Sequence, residues 1–214
     1  MKKEKYLDSE NLIIVCRQIL DHVSNQINIK KIKFKTNSSA LIILDMQQYF
    51  SSINSKAFLP SIPSIIPRIN KLIDYFHLNN LIVIFTKHID KLNENNMMLK
   101  WWKGYIDKDN PLSQLDNNLN TNNSIIIEKN TYDAFYNTDL ENILKSNSIK
   151  QIIITGVVTH LCVETTIRNA FIRNYEVILP IDCTADYNYQ ISLNSILNLG
   201  HGFCHITLSD NLFI

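Results

Sequence analysis

The sequence predicts an α/β domain built on a parallel, doubly wound sheet, and three observations carry that prediction. Six short, continuous apolar runs recur along the chain, the pattern of strands buried on both faces. Segments with apolar residues at helical spacing separate most of them, as the crossovers between parallel strands require. The chain of 214 residues fits one domain and is long enough to bury a sizeable core.

Ahead of the alternation, Leu12, Ile13, Cys16, Leu20 and Val23 have helical spacing behind the capping-type Asp8 and Ser9. Residues 1–38 therefore read as an N-terminal helical extension, packed on the domain or on a neighbouring subunit, and residues 39–214 as the main domain. ALIILD (40–45) is the first buried strand. Ile62, Ile65, Ile66, Ile69, Leu72, Ile73 and Phe76 then predict a helix, with Pro63 suited to its first turn. LIVIF (81–85) is the second strand, a polar and irregular stretch spans 88–123, and SIIIE (124–128) is the third strand. Leu140, Ile143 and Leu144 mark a short helix before the fourth strand, QIIIT (151–155). Val163, Ile167, Ala170 and Phe171 form the stripe of the helix behind it. EVILP (176–180) and FCHITL (203–208) are the fifth and sixth strands, with a helical stretch between them.

Composition removes several classes of function. A hydrophobic fraction of 45% with 19% charged residues is that of a globular chain. The net charge of +1 creates no field that would draw it to nucleic acid or an anionic membrane. Its one basic cluster, Lys30, Lys31, Lys33 and Lys35, alternates with Ile32 and Phe34 and reads as a solvated strand face. There is no membrane-length apolar run and no signal-peptide pattern, so the cytoplasm is the expected compartment. The four cysteines, Cys16, Cys162, Cys183 and Cys204, are scattered without zinc-site spacing and are expected to be free thiols. The only glycines are Gly104, Gly156, Gly200 and Gly202, so there is no dinucleotide fingerprint, no P-loop and no G-x-S-x-G elbow.

Open parallel sheets bind ligands beyond the carboxyl ends of their strands. Three polar residues there stand out: Asp45 at the end of the first strand, Lys129 after the third, and Cys162 after the fourth, at the expected start of a helix. An ammonium and a helix start both favour a thiolate, and a carboxylate can take the thiol proton and return it to a leaving amine. Each has a plainer reading. A buried cysteine is commonly inert packing, a strand-end aspartate commonly forms a turn, and a single lysine commonly lies on the surface.

The segments ALIILDMQQYF, EKNTYDAFYNTDLE and TGVVTHLCVETTIRNAF resemble those of the isochorismatase-like cysteine hydrolases, in the order that family has them. The likeness covers about 40–213. It implies a three-layer α/β/α fold with a six-stranded parallel sheet, and a catalytic triad of Asp45, Lys129 and Cys162. It also implies a cis peptide between Val157 and Val158, with the backbone amides of Val158 and Cys162 forming an oxyanion hole. Family members are commonly dimers or larger, so a homo-oligomer (dimer or tetramer) is expected.

Nicotinamidases of this family typically carry a metal-binding Asp-x-His with a further histidine after the second strand. Here IFTKHIDKLNENN holds only His88, which disfavours a nicotinamidase. No metal and no cofactor are expected. Isochorismatases that cleave a vinyl ether usually have glycine where Cys162 stands, so the cysteine points to an amide-, ureide- or carbamoyl-type C–N bond. A vinyl-ether hydrolase independent of the cysteine and a catalytically silent binding member are the alternatives. Phe50, Trp101, Trp102, Tyr132, Phe135 and His160 are the expected pocket residues, Tyr136 lying in the same loops. His160 either touches substrate or makes a structural hydrogen bond within its turn.

Overall fold

The computed structural model of the protein describes residues 1–91, 97–102 and 104–213. Its strands are β1 (Ser39–Leu44), β2 (Ile82–His88), β3 (Ile125–Lys129), β4 (Gln151–Val157), β5 (Glu176–Pro180), β6 (Thr184–Ala185) and β7 (His205–Thr207). They form one parallel sheet in the order β3-β2-β1-β4-β5-β7, with β6 paired to β4. The helices are α1 (Leu12–Ser24), α2 (Gln48–Ser51), α3 (Ile62–Leu78), α4 (Met97–Trp101), α5 (Leu140–Ser146), α6 (Glu164–Ile172) and α7 (Tyr189–Gly202). Helices flank the sheet in a three-layer α/β/α arrangement.

The six strands read from the sequence are all present, with ends displaced by no more than three residues. Every residue of β1 and β4 is buried, because these adjacent strands lie at the centre of the sheet and are covered on both faces. The strand that the pattern did not show, β6, is two residues long. It takes over from β5 beside β4, since β4 pairs with β5 only as far as Ile153↔Ile178 and then with β6 at Gly156↔Thr184. That exchange carries Asp186 and Tyr187 up to the end of β4.

Residues 1–38 are packed on the domain itself. Leu7, Leu12, Cys16, Ile19 and Val23 belong to the same hydrophobic core as the sheet. Asp8 acts one turn earlier than a helix cap would. Its Oδ1 accepts from the amides of Glu10 and Asn11, while Asn11 stands at the cap position of α1. The basic segment alternates as expected between exposed lysines and half-buried Ile32 and Phe34, but forms no ladder strand. Phe171, expected in the buried stripe of α6, is exposed and rests edge-on against Phe203. No helix among the described residues is long and apolar enough to cross a membrane.

One glycine decides how close the two central strands come. Gly156 lies opposite Leu44 with φ +99°, and a Cβ there would stand 2.1 Å from the Leu44 carbonyl oxygen. No side chain fits such a position. The residues that follow the two strands are thereby delivered side by side.

Candidate active site

The strand order reverses between β1 and β4: the chain runs outward from β1 to β2 and β3, then returns to β4 on the other side. Such a switch point opens a crevice at the carboxyl ends of the strands. Asp45 enters it directly after β1, with φ 51°, a left-handed conformation that aspartate tolerates better than most residues. Cys162 enters from the π-helical turn Thr159–Val163 between β4 and α6. The wide turn is closed by the Val163 amide donating to the Val158 carbonyl at 3.3 Å. The peptide Val157–Val158 before it is cis.

Lys129, the last residue of β3, joins the other two. Its Nζ donates to Asp45 Oδ2 at 2.6 Å and to the Thr131 carbonyl at 2.8 Å, and lies 3.4 Å from Cys162 Sγ. The lysine and aspartate side chains are both 0% exposed. Thr86, on the intervening β2, donates its hydroxyl to Asp45 Oδ1 at 2.6 Å. This holding residue escapes sequence reading, because only the pairing of β1 with β2 reveals it.

Burial is the largest influence and would raise the Asp45 carboxyl, but the Lys129 ammonium, His88 and the hydrogen bonds of Cys162 and Lys129 together hold the group below the usual carboxylate range. Burial likewise works to lower Lys129, and Asp45 and Cys162 together more than offset it, leaving the lysine above its ordinary value. Cys162 goes the other way. Burial, followed by the charge of Asp45, pushes its thiol up, and Lys129 offsets only part of this. The resting site therefore holds a carboxylate, an ammonium and a neutral thiol. Desolvation and the neighbouring anion thus outweigh the pull of Lys129 towards a thiolate.

A cavity of about 540 Å³ opens over Cys162. Of the expected pocket residues, Phe50, Trp102, Tyr132 and His160 line it. Trp102 donates its indole N–H to the Tyr132 hydroxyl at 2.7 Å, fixing both rings. Trp101 does not line it, since its side chain is 71% exposed at the end of α4, turned away from its neighbour. Phe135 does not either. It is buried, stacked on Tyr175 with the Arg173 guanidinium over its ring. Tyr136 is exposed and away from the cavity. The sequence reading missed Tyr49, Tyr187, Lys3 and Lys56 in the lining. His88 and Asp90 line it as well.

His160 makes its hydrogen bonds outside its own turn, so the expected bond within the turn is replaced by one to Asp186. It faces the cavity, and its Nδ1 lies 2.7 Å from Asp186 Oδ1, while its amide donates to Asp186 Oδ2 at 2.8 Å. The structural bond thus crosses from the nucleophile turn to the end of β6. His88 Nε2 lies 3.1 Å from Asp90 Oδ1, and Asp90 Oδ2 accepts from the Ile106 amide. Among the described residues no group of three or more His, Cys, Asp or Glu is placed to hold a metal. His88 and Asp90 are turned on each other, a smaller donor set than the three protein ligands usual at a catalytic zinc.

The family model for the isochorismatase domain matches residues 39–211. The chain belongs to that family and is an isochorismatase-like hydrolase. It is 32% identical over 179 residues to Nicotinamidase 3 of Arabidopsis thaliana, covering 81% of this chain and 86% of that one. It is 25% identical over 185 residues to N-carbamoylsarcosine amidase of an Arthrobacter species, covering 82% and 70% respectively. Among solved structures, a cysteine hydrolase from Pseudomonas syringae pv. phaseolicola superposes with a TM-score of 0.82 at 24% identity, over 86% of this chain and 94% of that one.

Proposed function

We propose that the protein hydrolyses a small amide-, ureide- or carbamoyl-type C–N bond through a thioester on Cys162. The observation that carries this reading is the buried Asp45–Lys129 pair, whose ammonium lies 3.4 Å from a thiol on the cavity wall. The relatives named for nicotinamide and N-carbamoylsarcosine support the bond type.

Asp45 is the only carboxylate of the trio and takes the thiol proton as the sulfur attacks the acyl carbon. Lys129 keeps that carboxylate ionised until then and offsets the negative charge that develops. The amides of Val158 and Cys162 receive the tetrahedral oxyanion, a contribution of roughly 3–4 kcal/mol per donor in characterised cases. Collapse breaks the C–N bond, and protonated Asp45 gives its proton to the departing ammonia or amine. Water then loses a proton to Asp45 and attacks the thioester. The C–S bond breaks, the acid is released, and the proton returns to the sulfur.

The test compares wild type with Cys162→Ala across small amides, ureides, nicotinamide and isochorismate, following ammonia for the nitrogen compounds and product directly for the last. Turnover of a nitrogen compound that disappears with the cysteine is the expected result. Isochorismate turnover that survives the substitution would overturn the thioester and establish vinyl-ether hydrolysis.

A further inference from the structure

The N-terminal segment lies outside the part of the chain that matches the family, residues 39–211. Even so, it forms part of the wall of the cavity over Cys162. Met1 and Lys3 are among the lining residues, facing Tyr187 and Lys56. The segment is held by bonds at several points. The Glu4 amide donates to the Tyr187 carbonyl at 2.7 Å, and the amides of Tyr6 and Leu7 donate to Ser61 Oγ at 3.2 and 3.1 Å. The Asp186 amide donates to the Tyr6 hydroxyl at 2.9 Å. Asp186 is the same residue that holds His160, so the segment and the nucleophile turn share an anchor.

The charges around the cavity are unevenly committed. Asp90 is engaged by His88 and by the Ile106 amide, and His160 by Asp186. Lys3 Nζ donates to the backbone carbonyl of Lys56 at 2.8 Å and stands 5.5 Å from the centre of the Tyr187 ring. Neither Lys3 nor Lys56 forms an ion pair with a carboxylate among the described residues. Partial burial lowers the Lys3 ammonium from its ordinary value, the cost of holding a cation where an anion would compensate it. Tyr49, Phe50, Trp102, Tyr132 and Tyr187 line the same cavity as these cations and the thiol and supply flat, largely apolar surface.

We infer that the N-terminal segment is a specificity element of the active site, with Lys3, supported by Lys56, receiving an anionic group carried by the substrate at a distance from its scissile bond. This rests on the hydrolase reading for the word substrate. The class it names is a small amide or ureide with an apolar or aromatic body and a carboxylate.

The test uses the cavity thiol itself as reporter, so that it does not depend on turnover. Cys162 of the intact protein is alkylated with 3-maleimidopropionate and with its neutral carboxamide, which differ chiefly in a charge held away from the reacting carbon, and modification at that residue is followed by mass spectrometry. The acid-to-amide rate ratio is expected to fall about five-fold in Lys3→Met and further in Lys3→Glu, the size expected of one partly screened charge. Lys56→Met keeps the Lys3 anchor at its carbonyl and should lower the ratio less, which separates loss of charge from loosening of the segment. An equal ratio in wild type and all three variants would overturn the inference. With a carboxylate-bearing substrate and its neutral carboxamide analogue, Lys3→Met is expected to raise KM for the acid selectively, with kcat little changed. Failure of the hydrolase reading would show instead as no turnover of either compound while the alkylation ratio still responds to Lys3.

Discussion

Two buried acid–thiol arrangements stand at the strand ends of this sheet, and only one has the form of an active site. After β1 and β4, Asp45 and Cys162 share the Lys129 ammonium. After β5, Asp182 and the adjacent Cys183 have Arg68 nearby, its Nε 3.9 Å from the carboxylate. Both aspartates are 0% exposed. At Asp45 burial is overcome by the hydrogen-bonded ammonium together with His88 and the Cys162 hydrogen bond, so the carboxyl is held low. At Asp182 burial wins and the carboxyl is held high, because Arg68 is directed mainly to Asp210 at 2.8 Å. The amide and hydroxyl of Ser209 satisfy Asp182 at 2.7 and 2.6 Å. Cys183 is wholly buried, with its thiol pushed well up by desolvation, and lines no described cavity. An acid, a thiol and a cation in one neighbourhood do not make a site. A committed cation and an opening to solvent do.

The largest expected contrast is in turnover. Cys162→Ala should reduce C–N hydrolysis by on the order of 10⁴-fold or more, as losing a covalent nucleophile does. Cys183→Ala should leave kcat within about two-fold while lowering stability by about 1 kcal/mol through the small cavity it creates. Steady-state kinetics and urea unfolding on both variants would break the comparison if their effects on kcat were alike.

Next in size is the effect of the cations on folding. Lys129→Met strands a buried carboxylate and should cost about 3–5 kcal/mol in urea unfolding. Arg68→Met leaves Asp182 with both Ser209 bonds and should cost about 1 kcal/mol.

The two aspartates should also respond to pH with opposite sign. The folded Asp45 carboxyl is depressed, so its ionisation adds stability that is complete above the unfolded value, about 4. That stability is lost as pH falls through the lower folded value. The folded Asp182 carboxyl is raised, so the native state binds its proton more tightly than the unfolded chain does. Charging it costs stability as pH rises above about 4. The stability difference between wild type and Asp45→Asn should therefore shrink on acidification below that point. The difference from Asp182→Asn should shrink as pH rises above it. Parallel profiles in unfolding series from pH 3 to 8 would remove the distinction between the two sites.

The smallest effect sharpens the role of a residue that acts only through Asp45. Thr86→Val removes the hydroxyl that donates to Asp45 Oδ1. A hydrogen bond to a charged group is worth about 1.5–3 kcal/mol. The acid limb of the kcat profile should accordingly move up by about one pH unit, with a roughly ten-fold loss of kcat. Thr86→Ser should restore both. A loss of kcat with an unmoved limb would assign Thr86 to packing alone.

Much of the fold was legible because buried parallel strands are written as runs of Ile, Val and Leu, and amphipathic crossovers as helical spacing. β6 was not, since two residues carry no period. Asp45, Lys129 and Cys162 stood out because each lies at or just beyond the carboxyl end of a strand, and such positions converge in an open parallel sheet. Asp182 also follows a strand, and spacing alone gives no reason to set it aside. The aromatic residues divided for a similar reason. Trp101 and Trp102 are neighbours in sequence, yet Trp101 ends α4 and is exposed while Trp102, just past the helix, reaches Tyr132.

The sequence by itself determined the alternation of elements and which strand ends carry reactive groups, because these depend on local periodicity and on the order of apolar runs. Only the tertiary structure decided that the Lys129 ammonium meets Asp45 rather than solvent, that burial pushes the Cys162 thiol up, and that Met1 and Lys3 line the cavity. Those outcomes depend on distances between segments far apart in the chain and on how much water packing leaves between them, and neither is encoded in any local pattern.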